Sequence, residues 1–69
     1  MKLSARNAFA GTVIDVIKGQ TTAHVQLDIG DGQIMTASIT NEAVDELKLA
    51  KGKKAQAVIK ASDVMVAID

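Results

Sequence analysis

Sixty-nine residues make one small domain at most, with 8 Lys and Arg balanced by 8 Asp and Glu, 48% hydrophobic side chains, one aromatic residue and no cysteine. A chain of this size buries only about 60% of the surface that it exposes when unfolded. Disulfides are therefore excluded as the supplementary support, and a single histidine, His24, without a ligand cluster around it argues against structural zinc.

Oligomerisation is the remaining support, and a homo-oligomer is expected. Zero net charge and a lone aromatic, Phe9, count against a nucleic-acid binder, which needs a basic field and stacking platforms. Lys2 is not followed by an apolar run of signal-peptide length, and no segment approaches the length of a membrane span. The absence of cysteine is compatible with the cytosol.

Residues 8–18 carry a β-branched run, Thr12, Val13, Ile14, Val16 and Ile17, broken by Asp15. Its imperfect alternation predicts a strand that is bulged or buried on both sides. Gly19-Gln20 reads as a turn. Residues 22–29 then alternate cleanly, with Ala23, Val25, Leu27 and Ile29 on one face and Thr22, His24, Gln26 and Asp28 on the other. Gly30-Asp31-Gly32 is a hairpin signal, because Asp-Gly tolerates the positive φ angles of tight turns.

The return strand, 33–40, sets Met35, Ala37 and Ile39 against Thr36, Ser38 and Thr40. Asn41 is the expected N-cap of a short helix whose acidic start suits the helix dipole. Ala43, Val44 and Leu47 form its apolar patch, and Gly52 stops the segment or opens the next turn. Two further strands are expected over 53–60 and 63–68. The fold class is thus mainly β: a five-stranded OB-like barrel with one short helix between strands 3 and 4, a single domain over 1–69.

Catalytic chemistry finds little support. A nucleophile needs a base within hydrogen-bond reach, yet His24 lies in a Thr-rich alternating strand, the pattern of a half-exposed sheet face. Gly30-Asp31-Gly32 is too short for a P-loop and leads into a strand rather than a helix. Two polar segments stand out instead, Ser4-Ala5-Arg6-Asn7 and Lys60-Ala61-Ser62. Each sets a cation beside a small hydroxyl residue, the donor types that an oxyanion needs. From pattern alone they read equally as a frayed terminus and a charged strand end.

The chain resembles the molbindins, the small molybdate-binding proteins of the Mop family. The resemblance rests on Ser-Ala-Arg-Asn at 4–7, Gly-Thr-Val at 11–13, Ile-Thr-Asn-Glu at 39–42, Leu-x-x-Gly-Lys at 49–53 and Val-Ile-Lys-Ala-Ser at 58–62. It implies an OB-like barrel assembled as a hexamer, a trimer of dimers, that binds molybdate or tungstate at subunit interfaces. The positions matching the family's main site are Ser4, Arg6, Thr40, Lys60, Ala61 and Ser62, with Asn7 in a structural role. A second site near the three-fold axis is assigned within Gly19 to His24, on Thr22, Ala23 and His24.

The resemblance further implies cytoplasmic molybdenum storage, homeostasis or delivery, with no enzymatic activity, no catalytic cofactor and no side chain ligating the metal itself. It gives no role to nucleic acid or membrane. The rival readings are an OB-like nucleic-acid-binding module and a structural assembly domain without ligand.

Overall fold

A computed structural model describes all 69 residues. Its elements are β1 (Asn7–Lys18), β2 (Thr22–Asp28), β3 (Ile34–Thr40), α1 (Asn41–Leu47), β4 (Lys54–Ile59) and a single 3-10 turn at Ala61–Asp63. The four strands form one antiparallel sheet in the order β3-β2-β1-β4.

The central strand β1 serves two partners. Its first half, Asn7 to Thr12, pairs with β4, and its second half, Thr12 to Lys18, pairs with β2. Just past the handover the register jumps from Val13↔Leu27 to Asp15↔Gln26, so Ile14 is the extra residue of a β-bulge. The Asp15 side chain steadies the bulge by accepting the Val16 N–H at 2.9 Å. A bulge bends its strand and sharpens the twist, which curls the sheet into a half-barrel. It also accounts for the broken alternation of the sequence here.

The concave side holds the core. Val13, Ala23, Val25, Leu27 and Val44 are buried, with Val16, Ile29, Ile39, Leu49 and Ala55 packed around them. The alternating faces expected for β2 and β3 are both present. The β2–β3 turn has positive φ at Gly30, Asp31 and Gly32, as expected. Asp28 accepts the Gly30 N–H at 2.9 Å and closes it.

Two expectations need correction. The N-cap of α1 is Thr40, whose hydroxyl accepts the Ala43 N–H at 3.0 Å. Thr40 has the extended backbone that a cap requires. Asn41 is instead the first helical residue, and its side-chain amide reaches the β1–β2 turn, donating to the Gly19 carbonyl at 3.0 Å. Helix α1 ends at Lys48 in the left-handed region, and Gly52, also at positive φ, belongs to the following turn.

The fifth strand, expected over 63–68, does not form. After β4 the chain makes the Ala61–Asp63 turn, and the tail from Val64 onward pairs with nothing. Strand geometry persists only where an edge supplies hydrogen bonds. The tail of this protomer meets neither free edge of its own sheet. The observed fold is therefore a four-stranded, OB-like half-barrel.

Gly11 sits where β1 leaves β4 for β2. A Cβ at this position would lie 2.6 Å from the Asp28 carbonyl oxygen, a backbone atom that cannot swing aside. Gly11→Ala is expected to lower stability by about 1–3 kcal/mol, the usual range for overpacking. Urea denaturation checks this, and a loss below about 0.5 kcal/mol would be only a surface-type effect and would mean that the strands part freely here.

Candidate functional site

The pairing of β1 with β4 begins at Asn7↔Ile59. The residues just before Asn7 and just after Ile59 consequently emerge side by side at one corner of the sheet. The Asn7 side-chain amide reinforces this junction by donating to the Ile59 carbonyl at 3.2 Å. Ser4-Ala5-Arg6 and Lys60-Ala61-Ser62, 53 residues apart from Asn7 to Lys60 along the chain, thus become neighbours.

The corner is rich in unpaired donors. Ser4, Arg6, Lys60, Ala61 and Ser62 are all exposed. The protein's one ion pair joins Lys18 to Asp45 at 2.6 Å, so neither Arg6 nor Lys60 has a carboxylate partner. In the 3-10 turn, Asp63 N–H donates to the Lys60 carbonyl and Val64 N–H to the Ala61 carbonyl. The N–H groups of Ala61 and Ser62 have no backbone acceptor. Two guanidinium or ammonium groups, two hydroxyls and two amides therefore face solvent on adjacent segments, a donor set suited to an oxyanion.

Thr40 is not at this corner. It ends β3, at the far edge of the sheet, and pairs with Thr22. Ala23, the next residue of β2, pairs with Lys18 at the opposite end of β1 from Asn7. Because the Thr40 oxygen accepts from Ala43, its hydroxyl proton is left to donate outward. Thr40 lines a shallow depression of about 360 Å³ with Gln20, Thr21, Asn41 and Glu42.

Of the second group, Thr22 and His24 are exposed on the outer face of β2, beside a depression of about 270 Å³ that Ile17, Lys18 and Gly19 complete. Ala23 is different. Its side chain points into the core, so it has none to offer a ligand at this surface. Lys18 is the cation that the sequence pattern missed here. It becomes a neighbour of Thr22 and His24 only through strand register, and no local spacing reveals that.

The largest open groove, about 730 Å³, runs along Gly11, Thr12, Asp28 and Lys54. Lys54 donates to the Thr12 hydroxyl at 2.9 Å, and no second cation joins it in the lining. No three His, Asp or Glu side chains gather as metal ligands. No helix is long and apolar enough to cross a membrane.

Comparison with known proteins places the chain among molybdenum-related relatives. The TOBE domain model matches residues 3–66. The chain is 44% identical, over the full length of both, to a probable molybdenum-pterin-binding protein of Haemophilus influenzae. It superposes on a molybdate-binding protein from Sporomusa ovata with a TM-score of 0.93 and 35% identity, covering 99% of this chain and 100% of that one. It also matches the cytoplasmic molybdate-binding protein ModG, solved with molybdate bound, with a TM-score of 0.91 and 46% identity, covering 94% of this chain and 46% of that one.

Thr40 caps α1 through its hydroxyl alone. Thr40→Val is expected to cost about 1 kcal/mol of stability, the usual worth of an N-cap, whereas Thr40→Ser retains it. Thermal denaturation of the two variants checks the difference, and equal melting temperatures would show that the cap contributes nothing.

Proposed function

We propose that this chain, which belongs to the TOBE domain family and within it to the molybdenum-pterin-binding proteins, binds molybdate as a tetrahedral dianion. The observation that carries the reading is the corner created by the Asn7↔Ile59 pairing, where Arg6 and Lys60 lie on adjacent segments without carboxylate partners. Two cations balance the charge of the ligand. The hydroxyls of Ser4 and Ser62, with the free amide at Ala61, supply donors to its oxygens. Charge-assisted bonds of this kind are roughly twice as strong as neutral ones.

Thr40 joins this site from another copy of the chain, since its own protomer holds it at the other end of β1. The site is then an interface site within a homo-oligomer, for which the hexamer, a trimer of dimers, is the arrangement proposed. The protomer by itself supports an assembly. Only 5 of its 69 residues are buried, while 12 large apolar side chains remain exposed. A ligand bound only by the assembled form stabilises that form by mass action.

Tungstate shares the charge and shape of molybdate and is proposed as an alternative ligand, while sulfate is rejected for its smaller size. Thr22 and His24, with Lys18 nearby, form the proposed second site. The role is cytoplasmic storage, homeostasis or delivery of the oxyanion. The molybdenum is cargo held through its oxygens, with no side chain bonded to the metal. A non-enzymatic protein without catalytic cofactor, nucleic-acid partner or membrane partner completes the proposal.

Titration calorimetry with molybdate, tungstate and sulfate tests it. Arg6→Ala and Lys60→Ala should each weaken molybdate binding at least about tenfold, from the roughly 1.5–3 kcal/mol of a hydrogen bond to a charged group. Both variants should keep the mass of the wild-type assembly. Normal binding by both would move the pocket elsewhere. No heat with molybdate, alongside retention on single-stranded oligonucleotide, would favour the nucleic-acid-binding alternative.

A further inference from the structure

The half-barrel is open along one side, and the opening has a definite shape. β3 and β4 are the two edge strands of the sheet, each with one side unpaired. Between them runs a groove of about 410 Å³ in which 12 of 14 lining residues are hydrophobic, Leu27, Met35, Ile39, Leu49, Ala57 and Ile59 among them. Nothing of the chain's own tail lines it. An open edge on both sides of an apolar groove is a slot for one more strand, since an added strand satisfies backbone groups on its flanks and buries one face beneath.

The same molecule carries a segment with the matching features. The tail Val64-Met65-Val66-Ala67-Ile68 has no Gly or Pro and is rich in β-branched residues. Val64, Val66 and Ile68 recur with the period of two that places them on one face of a strand. Val66 and Ile68 are 89% and 92% exposed, and the tail pairs with no strand of its own protomer. Its six residues, 64–69, match the six of β4 and the seven of β3. Its only charge is Asp69, at the very end.

We infer that the tail of a second copy fills this slot, so that residues 64–68 of one chain become the fifth strand of its neighbour's barrel. The exchange is reciprocal, as a closed symmetric dimer requires. Its hinge is the Ala61–Asp63 turn, which directly follows Lys60 and precedes the tail. Anchoring the tail in a neighbour therefore holds Lys60, Ala61 and Ser62 at the boundary between two chains. The inference rests on the homo-oligomer of the preceding section but not on the identity of its ligand.

The test is the double variant Val66→Asp/Ile68→Asp in the full-length chain, read by native mass spectrometry and light scattering. Both side chains are free of contacts in the protomer, so a monomer would lose nothing by the change. The expected result is a wild-type multimer and a variant of lower mass, with a lower melting temperature. A variant of wild-type mass, or a wild-type protein that is itself a monomer, overturns the inference.

Hydrogen exchange on the unmodified protein gives an answer that does not depend on the variant folding. The amides of residues 64–68 should be protected like those of β3 and β4. Exchange as fast as in an unstructured peptide overturns the inference. The readouts also separate the two proposals. Arg6→Ala alters molybdate binding at unchanged mass, while the tail variant alters the mass whether or not molybdate is present.

Discussion

The structure depends on one strand having two partners. β1 hands over at Thr12 from β4 to β2, and this division is possible only because β1, at twelve residues, is far longer than either. The Ile14 bulge beside the handover turns a sheet that would otherwise lie open into a curl, and the core residues occupy the inside of that curl. Gly11 permits the close approach on which the crossing relies. The same handover leaves β1 and β4 free to run out together at Asn7 and Ile59, and so delivers both polar segments to one corner.

That corner is electrostatically unfinished. Lys18 has Asp45, Lys53 donates to the Leu47 carbonyl and Lys54 donates to Thr12, so several of the other cations are engaged within the fold. Arg6 and Lys60 are not engaged with any carboxylate. Like charges on adjacent segments repel, and a dianion between them converts that repulsion into attraction. The amides of the Ala61–Asp63 turn add neutral donors that carry no charge penalty of their own when the site is empty. The arrangement favours a compact dianion over a monoanion, because one negative charge would leave one cation unbalanced.

The core is too small to account for the fold alone. Five buried residues and a half-barrel with two open edges describe a unit that is completed by its neighbours. Ligand binding and assembly then reinforce each other, since a site assembled from two chains rewards the state in which they are together. The division of Thr40 from Arg6 and Lys60 in the protomer is the feature of the proposed site that ties it to assembly.

Local pattern was enough for the strands of residues 22–40, because alternation and an Asp-Gly turn depend on neighbours within a few residues. It was enough as well for the existence of a short helix, though not for its cap. Thr40 and Asn41 are both good capping residues, and only the position of the Gly19 carbonyl decided which side chain went where. The resemblance carried by the polar segments and their companion motifs identified the family and the molybdate that goes with it.

The sequence by itself also determined that the chain is mainly β, uncharged overall and too small to stand comfortably alone. The tertiary structure decided what required two distant segments to meet. It made the segments at 4–7 and 60–62 neighbours, put Thr40 at the other end of β1, turned Ala23 inward and denied the tail a strand partner. The physical reason is common to all four. Periodicity states which residues share a face, but strand register and the availability of an edge are set by pairings between parts of the chain that no local pattern connects.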